Sequence, residues 1–281
     1  MKNAAALAWL LAALAGGLRA EPFSFFAMDT VFRGNPNGEI LDVAKASRYA
    51  GVGGTLGSAD AVKATLRDCD ERGLQLFAVY ASATLTREAL TIQPAAYEVM
   101  PVLKARGTIL WLHITGAKGI ASSSADGDAI AVPALRAFAD LAATNGVRVA
   151  LYPHKGDWTE RHPDAVRVAR KVERPNLGVG FNLCHCLMVG DEAKIPDLLV
   201  EAAPNLFVVT INGADAGAAG TSWGRLIQPL DQGSYDVGLV LRKLRELHWQ
   251  GPIGLQAYGI NLSPAEILAR GGAGWKKLNS P

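Results

Sequence analysis

From Phe23 onward, short runs of Val, Ile, Leu and Phe alternate with longer amphipathic stretches, and this alternation constrains the fold more than any other feature. The apolar runs have strand length, and the stretches between them are long enough to carry a helix back to the start of a neighbouring parallel strand. Eight runs stand out, at residues 25–28, 51–56, 75–80, 108–114, 147–151, 178–181, 206–211 and 253–256. Eight such units predict an α/β fold built as a single (β/α)8 barrel. Helix starts are marked by Ser58-Ala59-Asp60 before residues 61–72 and by Pro163-Asp164 before residues 165–172. Gly73, Gly107 and Gly146 follow helical stretches where a left-handed cap is needed, which places them at the bottom of the barrel. The polar residues after each strand then lie at the top, where enzymes of this architecture carry their sites. A doubly wound open sheet would want a glycine-rich phosphate loop after the first strand. Met28-Asp29-Thr30 and Phe32-Arg33-Gly34 lack that spacing.

The domain plan is a secretory signal at residues 1–20 and a barrel domain at residues 21–281. Lys2 supplies a positive start, residues 4–15 are apolar, and Leu18-Arg19-Ala20 is an acceptable cleavage site. About a dozen apolar residues are too few to span a bilayer, so the mature chain is expected outside the cytoplasm, secreted or periplasmic, without stable membrane insertion. Losing Lys2 and Arg19 takes the formal charge from +2 to zero, which leaves no general attraction to nucleic acid or anionic lipid. A small neutral molecule is the expected partner. Cys69, Cys184 and Cys186 form an odd set with no expected disulfide framework, and nothing selects an oligomeric state.

Chemistry-bearing residues gather at the exits of the later strands. The fourth run ends in Trp111-Leu112-His113-Ile114, and the fifth is followed by Tyr152-Pro153-His154-Lys155-Gly156-Asp157-Trp158. The sixth leads into Asn182-Leu183-Cys184-His185, the seventh carries Thr210 and Asn212, and the eighth ends at Gln256. Histidines at successive strand exits suit proton transfer near neutral pH or binding of a metal. Cys184 and Cys186 read as packing residues, and Asp236 as an acidic residue in a first helical turn or, alternatively, a substrate contact. Residues 213–220, rich in Gly and Ala, read as a mobile loop over the site.

These segments, in this order, resemble the xylose isomerase-like TIM barrel superfamily, the sugar phosphate isomerase/epimerase and endonuclease-IV-like proteins, over nearly the whole mature chain. The stretch VGFNLCH is similar to a family segment with an Asp and a His three later, Leu230-Asp231-Gln232-Gly233 resembles a family turn, and GPIGLQAYG is similar to its last strand. The resemblance implies three metal-binding carboxylates, yet Tyr152, Asn182 and Gln256 stand where they are expected, and Thr210 where a His is common. Mg²⁺ or Mn²⁺ held chiefly by carboxylate charge is therefore not expected. Two site chemistries stay open. His113, His154 and His185 could hold a divalent transition metal such as Zn²⁺ or Mn²⁺. Alternatively the pocket is metal-free, with Tyr152, Asn182, Asn212, Gln256 and Trp158 binding a saccharide.

The function implied by the resemblance is a carbohydrate isomerase or epimerase that transfers a proton next to a sugar carbonyl. His154 and His185 would be the acid/base pair, and Lys155 would stabilise enolate charge. A lyase or hydratase acting on 3-keto-sugars or glycosides needs the same first step. A non-catalytic sugar-binding barrel that has lost the metal carboxylates is the reading from another class. Nucleic-acid repair wants a clustered metal site and a basic surface, and the zero formal charge of the mature chain argues against it.

Overall fold

The computed structural model describes residues 23–32 and 34–280, so the export signal expected at residues 1–20 lies outside the described residues. Among the described residues nine strands occur: β1 (Phe25–Ala27), β2 (Gly51–Thr55), β3 (Gln75–Leu85), β4 (Leu90–Ile92), β5 (Ile109–Gly116), β6 (Arg148–Leu151), β7 (Leu177–Asn182), β8 (Leu206–Ile211) and β9 (Ile253–Leu255). The parallel strands follow the order β2-β1-β9-β8-β7-β6-β5-β3, and pairing of β2 with β3 closes the ring. The eight predicted runs are the eight barrel strands. Strand β4 is additional, an antiparallel hairpin partner of the outer end of β3 with Ala83 opposite Ile92. The hairpin was hidden because Ser82 and Thr84 interrupt the apolar pattern, while Ala81, Ala83 and Leu85 between them are buried. Among the described residues no helix is long and apolar enough to cross a membrane.

Strand periodicity sorts side chains into two cores. Leu110, Leu112, Val149, Leu151, Val179 and Phe181 belong to the large core shared with the helices. Phe26, Phe77, Ile109, Trp111 and Val208 fill the barrel itself, with Phe26 and Phe77 stacked at 5.3 Å. Room for Trp111 and Phe26 comes from missing side chains on nearby strands, at Gly180 on β7 and Gly254 on β9. A Cβ at Gly180 would lie 2.6 Å from Trp111 Nε1, and one at Gly254 would lie 2.6 Å from the Phe26 ring. An alanine at Gly180 would overpack the interior at a cost of about 1–3 kcal/mol. This aromatic plug closes the barrel from below, so polar chemistry is confined to its upper mouth.

The bottom end is marked as the sequence predicts. Gly73, Gly107 and Gly146 have φ of +66°, +70° and +66°, the left-handed conformation that lets each helix stop and the chain turn back into a strand. At the top, the predicted mobile loop at 213–220 is instead fastened. Gly213 bridges to Gln228, the Gly217 amide donates to Glu192, the Gly220 amide donates to the Met188 carbonyl, and Asp215 pairs with Arg225 at 3.0 Å. Asp236 stands at the start of the helix Gly238–Glu246, two residues before its first residue, and pairs with Arg242 at the surface.

Candidate active site

The upper mouth holds a cavity of about 420 Å³, within the usual span for small-molecule sites. One wall comes from the exits of β6 and β7. After β6 the chain makes its own turn: the His154 amide donates to the Thr159 carbonyl and the Asp157 amide donates to the His154 carbonyl, with Gly156 at φ +93°. The remaining amides of the turn go to His185 and Glu160, from Lys155 and Gly156, and the side chains of Tyr152, His154 and Lys155 line the cavity. After β7 there is no loop. Asn182 ends the strand and caps the helix Leu183–Met188, accepting from the His185 amide, which places His185 over the cavity in the first turn.

The two cavity histidines lie with ring centroids 4.1 Å apart, yet their ring nitrogens have different partners. The Lys155 backbone amide donates to His185 Nδ1 at 3.2 Å, so that nitrogen carries a lone pair and the ring proton sits on Nε2. Burial, reinforced by the neighbouring His154, holds the His185 pKa well below the ordinary histidine value and keeps the ring neutral. His154 is arranged the other way round. Its Nδ1 is buried and lies 3.5 Å from Asp157 Oδ1, which leaves Nε2 as the nitrogen open to the cavity. The other Asp157 oxygen meets His113 Nδ1 at 2.9 Å. Burial alone would raise the Asp157 pKa, but the contacts to His113 and His154 outweigh it and hold the group below its usual value as a carboxylate. His185 thus presents a hydrogen-bond donor on Nε2, while His154 keeps Nδ1 3.5 Å from the Asp157 carboxylate, an electrostatic contact rather than a formed hydrogen bond, and Nε2 toward the cavity.

Amides and phenols complete the wall. Asn182 Nδ2 donates to Tyr152 Oη at 2.5 Å, and burial raises the Tyr152 pKa far above normal, so the phenol keeps its proton. Gln256 Oε1 accepts from the backbone amides of Ala257 and Tyr258, at 2.9 and 3.0 Å, so its NH₂ end is left for the cavity. Trp223 stands edge-on to His185 at 5.2 Å, and Tyr258 is an exposed cavity residue. Across the barrel, Asp29 follows β1, lines the same cavity and accepts from Thr55 Oγ1 at 2.6 Å. Burial raises its pKa against the opposing pull of that hydrogen bond.

Several sequence expectations are relocated by this geometry. Lys155 reaches the cavity, but its ammonium is paired with Glu160 at 2.6 Å, so its charge is already engaged. Asn212 does not line the cavity: it is fully buried, and Nδ2 donates to the carbonyls of Gly213 and Leu226, both at 2.7 Å. Trp158 is likewise buried away from it, with Nε1 donating to the Ser124 carbonyl. Asn182 sits behind Tyr152 and acts through it. Asp29 and Asp157 were passed over. For Asp157 the His-x-x-Asp spacing was available, whereas Asp29 follows a first strand whose exit carries no familiar motif.

The His113, His154 and His185 set expected for a metal is not assembled as a ligand cluster. Among the described residues no group of three or more His, Cys, Asp or Glu is placed to hold an ion. His113 does not line the cavity that His154 and His185 share, and His185 would have to surrender the Lys155 amide bond to turn a lone pair toward it. At the positions where the family has carboxylates, Gln256 presents its donor end and the Asn182 oxygen is used in capping. These residues do not fit a resident divalent metal.

Residues 55–277 match the model of the family described as xylose isomerase-like TIM barrel. No curated protein matches the chain in sequence. Among solved structures, an IolI protein with a bound zinc atom is similar at TM-score 0.69 and 14% identity, over 91% of this chain and 98% of that one. The probable 3-DHS dehydratase AsbF from Bacillus anthracis gives 0.68 and 16%, over 92% and 99%. D-allulose 3-epimerase from Methylomonas sp. gives 0.67 and 15%, over 92% and 98%. A fusion protein of a xylose isomerase-like barrel with a 4-hydroxyphenylpyruvate dioxygenase is similar at 0.66 and 17%, over 90% of this chain, which spans 42% of its length. At these identities the likeness is one of fold.

Proposed function

The chain belongs to the xylose isomerase-like TIM barrel family, and from that premise we propose that it is a carbohydrate isomerase or epimerase that moves a proton next to a sugar carbonyl. The observation that carries this reading is the division of labour between His154 and His185. His154 Nε2, backed by the Asp157 carboxylate at Nδ1, takes the proton from the carbon beside the carbonyl. Negative charge then grows on the carbonyl oxygen. His185 Nε2–H is the donor for it, helped by the Tyr152 hydroxyl, in a buried setting where such bonds are strong. This gives His185 the enolate-stabilising role first expected of Lys155, and makes it a donor where a second base was expected. The Gln256 amide and the aromatic faces of Trp223 and Tyr258 suit hydroxyl groups and the apolar face of a sugar ring.

Similarity to a dehydratase and to an allulose epimerase supports a substrate with a carbonyl beside an acidic C–H bond. If a hydroxyl on the next carbon leaves after the same first step, the result is elimination, which is the second reading. The export signal expected from the sequence supports an encounter with substrate outside the cytoplasm. The test is loss of the α-proton from methyl 3-oxo-α-D-glucopyranoside or D-fructose in D₂O, followed by NMR. The expected result is catalysed exchange by the native protein that survives dialysis against EDTA. Saccharide binding in calorimetry with no exchange and no product over long incubation would establish a binding protein instead.

A further inference from the structure

We infer that Asp29 is the second acid–base group of the cavity, acting on the face of the substrate opposite His154, so that the site inverts a carbon centre. The inference rests on the proton transfer proposed for His154. In the barrel ring β1 and β6 are diametrically opposed, four places apart whether counted through β2, β3 and β5 or through β9, β8 and β7. Asp29 lies just beyond β1 and His154 just beyond β6, and both side chains line one cavity. A flat substrate held between the two walls therefore meets one group on each face.

The Asp29 carboxyl is held for that task. Thr55 at the end of β2 donates to Oδ2 at 2.6 Å and fixes the plane of the group. Burial favours its neutral form, while Asp157 on the other side of the barrel is held as a carboxylate. The carboxylate of Asp157 lies beside the base His154, while burial raises the proton affinity of Asp29, as suits a group that gives a proton to the opposite face. The step balances without an oxidant. The C–H bond breaks, its proton goes to His154 Nε2, and its electron pair forms the enolate held by His185. The enolate then collapses as the Asp29 O–H bond breaks and a new C–H bond forms on the opposite face. His154 as imidazolium and Asp29 as carboxylate return to their starting states by proton exchange with water, and the reverse reaction uses them in swapped roles. Moving a carbonyl between adjacent carbons needs only one base working on one face, so a paired group across the cavity points to epimerisation.

The experiment compares the native full-length protein, Asp29→Asn, Thr55→Val and His154→Gln in D₂O with methyl 3-oxo-α-D-glucopyranoside and D-fructose. NMR follows both α-proton exchange and appearance of the epimer. Asp29→Asn is expected to keep exchange of the starting sugar while epimer formation falls at least 100-fold, and His154→Gln to lose both. Thr55→Val, which removes only the anchor, is expected to slow epimer formation several-fold and supplies the readout if Asp29→Asn does not fold. Epimer formation at the native rate in Asp29→Asn, or in Thr55→Val where the former is unfolded, would overturn the inference while leaving His154 as the base. Loss of both signals in a folded Asp29→Asn would also overturn it. Absence of exchange by the native protein on either probe would overturn the underlying proton-transfer reading.

Discussion

The wall built from the exits of β6 and β7 and the wall built from the exit of β8 carry similar side chains, but only the first became a site. After β6, the amides of the 154–159 turn find partners in the turn's own carbonyls, in His185 and in Glu160, so the His154 side chain has no backbone duty and faces the cavity. After β8, the carbonyls of Gly213 and Leu226 converge on Asn212, and the amide that strand periodicity had pointed inward is consumed in holding two loops together. Buried backbone groups must find partners, and a polar side chain at a strand exit is available for chemistry only where that demand is already met. Gln256 shows the intermediate case, with its oxygen spent on two amides and its NH₂ left over.

The contrast is broken most severely at His154. Alanine there is expected to lower turnover by about 10²–10⁴-fold, the ordinary contribution of a general base, with little change in thermal stability because the side chain is partly exposed. Catalysis that persists in His154→Ala would erase the distinction between the walls.

The next largest effect concerns support behind the catalytic wall, where His162 is buried edge-on to Phe181 with both ring nitrogens unpaired. Burial lowers its pKa from 6.5 to about 4. As pH falls from 6.5 to 4 the unfolded chain binds a proton that the folded chain refuses, so stability declines across that window and levels off below it. The cost is on the order of 3 kcal/mol. His162→Leu is expected to flatten this part of the urea-denaturation pH profile, and an unchanged slope would assign acid sensitivity elsewhere.

Asp157→Asn comes third. It replaces a charged acceptor shared by His113 and His154, and should lower turnover by an amount equivalent to about 2 kcal/mol. The loss should fall on kcat more than on KM, because the substrate does not touch Asp157. The smallest change is Asn212→Ala, expected to destabilise the fold by about 1–2 kcal/mol in urea titration while leaving kcat and KM as they were. A raised KM in Asn212→Ala would return that residue to the cavity.

The barrel was legible because its signals are local and repeated: eight apolar runs, and glycines whose left-handed φ is demanded by each helix end. The hairpin of β3 and β4 was not, since its polar outward positions break the apolar run. Within the site, His154, His185, Tyr152 and Gln256 could be picked out by position after a strand. Their roles could not, because a tautomer depends on a partner from another strand exit, as when the Lys155 amide selects the lone pair of His185. Asn212 and Trp158 were misplaced for the same reason, their hydrogen bonds going to carbonyls distant in sequence. Asp29 gains its significance only when the ring closes and sets β1 opposite β6.

The central claim is that backbone and carboxylate partners set the two cavity histidines into opposite tautomers. Long-range ¹H–¹⁵N correlation NMR of protein labelled at histidine nitrogen reads this directly, with His154→Gln and His185→Gln variants assigning the signals. The account predicts a neutral His185 with its proton on Nε2 and a bare Nδ1, and a His154 with its proton on Nδ1 whenever neutral. Both rings protonated on Nε2 when neutral, or a His185 that charges near pH 6.5, would contradict it.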